Sequence, residues 1–131
     1  MKQPSRTRRF APLVVALSMV IGHQVSYAAG NADRGADVFA TECSDCHSIK
    51  EGKHKRGPSL FALLGRRAAS SEGFTYSDGL RTSGLVWNAD TLDRYITNPK
   101  ALVPTGKMKY DGLAATAARD DLIAWLSRPT R

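Results

Sequence analysis

Cys43-Ser44-Asp45-Cys46-His47 constrains this chain more than any other five residues. Read as C-x-x-C-H, the run is the attachment pattern of a c-type haem. Two cysteines three positions apart share one face of a helix. Each thiol can then add to one vinyl group of a single porphyrin. His47 follows at once and can present an imidazole nitrogen to the iron as the proximal ligand. A haem brings its own redox chemistry, and the protein's part is to hold and tune it. Two other readings of the cysteine pair fit less well. A thioredoxin-like redox motif expects a βαβ context, whereas the flanks here are helical in pattern and rich in Gly and Lys. A zinc site needs more ligands than two Cys and one adjacent His.

The start of the chain reads as an export signal. Lys2, Arg6, Arg8 and Arg9 form a basic head, and Phe10 to Ile21 is a short apolar run interrupted by Pro12 and Ser18. Ser26-Tyr27-Ala28 then places small residues where a cut before Ala29 needs them. The run is short for a membrane helix, which takes about 20 residues. An uncleaved anchor is the alternative. Thioether attachment suits a chain exported unfolded and completed outside the cytoplasm, so the expected location is the periplasm. Residues 1–28 are then a cleaved secretory signal and 29–131 a single domain of 103 residues. The net charge of +7 belongs largely to the signal: without its four Lys/Arg, 15 basic residues face 12 acidic ones, a net of +3. That mild excess argues against nucleic-acid binding.

Behind the signal the pattern is all-α, with short helices joined by long loops. Asn31 caps a helix predicted over Ala32 to Cys46, with Gly35, Phe39 and Cys43 on one face. Glycine is costly inside a helix, so Gly35 marks either close approach by another backbone or a tolerated surface position. Ser59 to Gly65 reads as a short apolar helical turn, and Ser77 to Thr82 as another. Asn88 caps a helix over Ala89 to Thr97 that is ended by Asn98-Pro99 and turns Leu92, Tyr95 and Ile96 inward. The last helix runs from Ala117 to Ser127, capped by Thr116, with Leu122, Trp125 and Leu126 buried. Helices this short are marginal alone, and the loops are long for so small a domain. A large flat porphyrin would give them a body to pack on, so the haem is predicted to be structural as well as functional.

His47, Gly57-Pro58, Gly65-Arg66, Trp87, Tyr95 and Met108 occur in an order that resembles the class I cytochromes c, nearest to the mitochondrial cytochrome c and bacterial cytochrome c2 branch. The similarity runs from about Gly30 to Leu126. It includes Arg56-Gly57-Pro58-Ser59-Leu60, Asn98-Pro99-Lys100 and Asp121-Leu122-Ile123-Ala124-Trp125-Leu126. The resemblance implies the small cytochrome c fold wrapped around one covalently bound haem c, in a monomer. It implies that Cys43 and Cys46 tether the haem and that His47 and Met108 ligate its iron. Met108 is also the only methionine of residues 29–131. Pro58 matches the proline whose carbonyl accepts a hydrogen bond from the proximal histidine, fixing its tautomer and raising its basicity. Arg66, Tyr76 and Trp87 match residues grouped around an inner propionate, which needs a cation or donors when buried. Tyr95 matches a haem-pocket tyrosine near the methionine sulfur, and Tyr110 stands where the family often has Phe shielding the haem edge. Gly35, Phe39 and Trp125 match the crossing of the first and last helices. Two departures stand out. Thr105-Gly106 precedes Lys107-Met108 where Gly-Thr is common, and Leu80 replaces a polar member of a small buried network.

His/Met ligation fills both axial positions, so the iron exchanges one electron with little rearrangement and has no vacant site for oxygen or peroxide. The implied function is a soluble one-electron carrier, not an enzyme. It would shuttle between a membrane quinol-oxidising complex and an oxidase, reductase or photosynthetic reaction centre; these partner classes come from the resemblance alone. Lys50, Lys53, Lys55, Arg56, Lys100, Lys107 and Lys109 flank the two ligand loops and are expected to ring the exposed haem edge, with Asp90, Asp93, Asp120 and Asp121 elsewhere. Such a face steers a protein toward acidic partners, membrane redox complexes or periplasmic oxidoreductases. The rivals are a haem subunit permanently bound to a periplasmic dehydrogenase and a haem enzyme with an open distal site. A diheme peroxidase would need a second C-x-x-C-H, which the sequence does not contain. His54, among lysines, reads as a solvated loop residue.

Overall fold

The first helix, α1 (Ala32–Glu42), is set going by Asn31, whose side-chain oxygen accepts from the amides of Asp33 at 2.9 Å and Arg34 at 3.0 Å. This is an ordinary N-cap, satisfying donors that a helix start leaves free. The coordinates are a computed structural model that describes residues 30–128. The expected export signal, residues 1–28, lies outside the described residues, as does the C-terminal tail from Pro129.

The helix stops four residues before the predicted end at Cys46. Near its end, side-chain hydroxyls turn back on the backbone: Thr41 onto the Asp37 and Val38 carbonyls, Ser44 onto that of Ala40 at 2.6 Å. Such bonds compete with the helical ladder. Cys43 leaves helical geometry, and the amides of Cys46 and His47 both donate to its carbonyl, at 3.1 and 2.9 Å. The haem motif is therefore a tight turn hung from α1 rather than its last turn.

Ser77 caps the short α2 (Asp78–Thr82), and Asn88 caps α3 (Ala89–Thr97) through a 2.8 Å bond from the Thr91 amide. Asn98-Pro99 ends α3 as expected, but it also starts α4 (Pro99–Leu102), where Asn98 accepts from the Ala101 amide at 3.0 Å. Proline is suited to the first helical position, where its missing N–H costs nothing. The last helix, α5 (Thr116–Leu126), begins one residue earlier than expected; Ala115 occupies the cap position and makes no side-chain cap bond. Arg119, buried in the first turns of α5, holds that start from the inside. It donates to the carbonyls of Leu113 at 2.9 Å and Ala114 at 2.8 Å and to Asp93 on α3 at 2.7 Å.

Ser59 to Gly65 does not form the predicted helical turn. Its amides serve distant carbonyls instead: Leu60 donates to Ser48 at 2.8 Å and Gly65 to Trp87 at 2.7 Å. Ala62 meanwhile takes a left-handed φ of 45°. No strand occurs among the described residues; one isolated antiparallel bridge joins Arg67 and Val86.

The core is one cluster that includes Phe39, Leu63, Trp87, Leu92, Tyr95, Val103 and Leu122. Helices α1 and α5 cross at Gly35, where a Cβ would stand 2.0 Å from the Asp121 carbonyl oxygen. Close backbone approach is thus the reason for this glycine. Phe39 and Trp125 close the crossing with ring centroids 4.6 Å apart, although Trp125 itself is only half-buried.

Candidate functional site

The motif turn is clamped from below by the loop at 55–58, whose Gly57 amide donates to the Cys46 carbonyl at 2.8 Å. This places the Pro58 carbonyl 2.7 Å from His47 Nδ1. A carbonyl can only accept, so Nδ1 carries the proton and the lone pair lies on Nε2. Gly57 lies against the imidazole: a Cβ there would meet Cε1 at 2.3 Å, so a larger residue would push the loop away. Burial lowers the basicity of His47 below the usual imidazole range; the Pro58 bond opposes this, and the charge of Lys55 adds to it. The neutral ring that results is the form a metal takes.

Cys43 and Cys46 are free thiols, both half-buried. Burial pushes the Cys43 thiol up to about 11. Cys43 and Met108 are partly buried against the same core cluster that contains Trp87 and Tyr95, whose rings lie 5.0 Å apart. Elements from both ends of the chain thus meet on one apolar body. Tyr76 is buried edge-on against Phe74, with centroids 4.9 Å apart.

Arg66 is paired by backbone with Trp87, whose amide donates to the Arg66 carbonyl at 2.9 Å. Its guanidinium donates to the Phe61 carbonyl at 2.6 Å and to Ser71 Oγ at 2.8 Å, while its Nε is buried without any partner. An unpartnered buried donor on a cation is costly. A haem propionate is a group of the right charge to relieve it, so the residues fit the cofactor. A bare metal site does not fit: no group of three or more His, Cys, Asp or Glu that could hold an ion occurs among the described residues.

His54 is not the solvated residue its lysine neighbours suggest. Its Nε2 donates to the Glu72 carbonyl at 2.8 Å, and its Nδ1 accepts from the Ser59 amide at 3.0 Å, so it staples two loops. Nothing in the local sequence marks that role, because Glu72 is 18 positions away. Leu80 is half-buried against the core, and Thr105 Oγ1 packs so closely on Gly79 that a Cβ there would come within 2.1 Å of it. The seven basic residues expected to form a face are all exposed, and Lys50, Lys53 and Lys55 share one surface depression with Ile49. Of the four acidic residues set against them, Asp90 and Asp120 are exposed. Asp93 and Asp121 are taken up by Arg119 and Arg34 at 2.7 Å.

Short helices, a neutral histidine and two thiols on one turn, a methionine on the shared core and an arginine with one buried, unmatched nitrogen define a protein built to hold one covalently attached haem. Residues 32–128 match the cytochrome c family. Among curated relatives, the cytochrome c of Gibberella zeae is 43% identical over 105 residues, 79% of this chain and 99% of the relative. That of Stellaria longipes is 44% identical over 103 residues (78% and 95%), and that of Arabidopsis thaliana 41% over 103 residues (78% and 92%). The chain belongs to the cytochrome c family. As a member it carries one covalently attached haem c with its iron, and it is an electron carrier, not an enzyme. No helix among the described residues is long and apolar enough to cross a membrane.

Proposed function

We propose that this chain is a soluble periplasmic one-electron carrier, exported by residues 1–28, that shuttles between a membrane quinol-oxidising complex and a terminal oxidase, reductase or reaction centre. In this reading Cys43 and Cys46 tether the haem, and His47 Nε2 and the Met108 sulfur ligate the iron. The bound group supplies an iron centre that takes up and gives back one electron. The chain's residues do the rest. The Pro58 carbonyl orients the His47 ring and keeps its proton on Nδ1. Arg66, with Tyr76 and Trp87, takes the inner propionate, and Tyr95 borders the methionine. The buried aromatics exclude water, which favours a small reorganisation on electron exchange. Exposed Lys50, Lys53, Lys55, Arg56, Lys100, Lys107 and Lys109 receive acidic partners.

The observation that supports this reading best is the 2.7 Å bond that leaves His47 Nε2 free to coordinate, together with the buried, unpartnered Nε of Arg66. The test is spectroscopy of holoprotein recovered from the periplasm, with Met108→Ala alongside. The oxidised wild type should show the methionine-sulfur charge-transfer band, and the variant should lose it and drop in potential. A wild type without that band that binds azide or CO rapidly would refute the ligation. Transfer to an acidic-faced oxidant should slow as salt rises; a flat response would remove the basic face from the proposal.

A further inference from the structure

Met108 packs on the core, but the span that carries it has few hydrogen bonds to the rest of the molecule. On one side the Gly106 amide donates to Val103 at 2.9 Å, and on the other the Leu113 amide donates to Ile96 at 2.8 Å. Between these anchors, no backbone group of 107–112 is hydrogen-bonded to another described residue. Two side-chain ties leave the span. Lys100 Nζ approaches Asp111 at 3.2 Å, but these side chains are 64% and 99% exposed, and water competes for both. The other is Tyr110 Oη, which donates to Glu42 Oε2 at 2.8 Å. This bond crosses 68 positions and ends on the last residue of α1, adjacent to Cys43. Glu42 is exposed, whereas Tyr110 is half-buried, so this bond is less open to water than the Lys100–Asp111 pair. Glu42 does nothing for its own helix, since a carboxylate at a C-terminus opposes the macrodipole.

We infer that the Tyr110–Glu42 hydrogen bond is a latch that holds the Met108 loop against the haem-bearing end of α1, making both side chains positioning residues for the sixth iron ligand. The inference rests on Met108 being that ligand. Phe at position 110 keeps the ring that shields the pocket and loses the latch. The loop then has a closed form, with methionine in place, and an open form, in which an outside ligand reaches the iron. Apparent affinity for that ligand scales with the open fraction. Loss of one ordinary hydrogen bond raises that fraction about five-fold.

Imidazole is the probe, titrated into the oxidised holoprotein while the methionine-sulfur band is followed. Tyr110→Phe and Glu42→Ala should each bind it about five-fold more tightly. The double variant should match either single one, because both changes remove the same bond. Glu42→Gln, which keeps an acceptor oxygen without the charge, should restore most of the wild-type affinity. Unchanged imidazole affinity in Tyr110→Phe overturns the latch, as do effects that multiply in the double variant. So does a lower unfolding midpoint with unaltered affinity. A wild type lacking the band overturns the ligation beneath the inference, so the two failures are told apart by the wild type alone.

Discussion

Gly35→Ala separates local preference from tertiary constraint, because the two predict opposite signs. In a free helix the change stabilises by about 1 kcal/mol, since alanine is the better helix former. At this crossing the new Cβ would lie 2.0 Å from the Asp121 carbonyl oxygen, 2.6 Å from its carbon and 2.7 Å from Trp125 Cβ. Two of these obstacles are backbone, so no rotamer change clears them. Restoring ordinary contact requires α1 and α5 to separate by roughly 1.5 Å. That movement stretches the Asn31 amide bond to Asp121 (2.5 Å) and the two Arg34 bonds to the same carboxylate (2.7 and 2.9 Å), and it opens the Phe39–Trp125 stack. Overpacking costs about 1–3 kcal/mol, and the loosened aromatic pair adds about 0.5–1.5 kcal/mol. After the propensity gain, the expected net loss is about 2 kcal/mol, or a melting point lower by roughly 10 °C for a domain of this size. Urea unfolding of the oxidised holoprotein, followed by far-UV circular dichroism, measures it. A variant as stable as the wild type, or more stable, refutes the crossing argument, because it returns what helix propensity alone would give.

Replacing His54 with Ala should free both loops it joins at a cost of about 1–3 kcal/mol, felt first as local opening. Hydrogen exchange checks it: the Ser59 amide should lose protection well before the core helices do, and uniform loss across the chain would contradict the staple. The Asp121 carboxylate is held below the ordinary carboxylate range, chiefly by the Arg34 side-chain bonds and then by the Asn31 amide, against the opposing effect of burial. A group depressed in the folded state lends stability above its unfolded pKa and loses it as pH falls through the folded value. Urea midpoints should therefore show Asp121→Asn clearly weaker than wild type at pH 7, with the gap shrinking below about pH 4. A gap of constant size across that range would remove the ion pair from the crossing.

What was legible in this chain is what a few neighbouring residues decide among themselves. Asn31, Ser77 and Asn88 announce helix starts because a cap is a bond to an amide two or three residues on. Gly35 was legible as a problem, though its solution lies on α5. The illegible parts have partners far along the chain. Ser59 to Gly65 is apolar enough for a helical turn, yet its amides go to Ser48 and Trp87, and no local pattern records that. His54 and the Tyr110–Glu42 bond were hidden for the same reason. The end of α1 differs in another way: the pattern predicts helix to Cys46, but the helix ends at Glu42, where hydroxyls of Thr41 and Ser44 draw carbonyls out of the ladder. The haem site shows the limit most sharply. Arg66 spends its other nitrogens on protein acceptors and leaves Nε buried and unmatched. No residue of the described chain completes that bond. A buried donor left without a partner costs about 1–3 kcal/mol, and an acceptor supplied from outside the polypeptide would recover it. Two thiols and a neutral imidazole on one turn specify how that group is attached. A haem seated there would meet that unmet chemistry and would also give these short helices an apolar body to pack on, so removing it should cost stability as well as redox function.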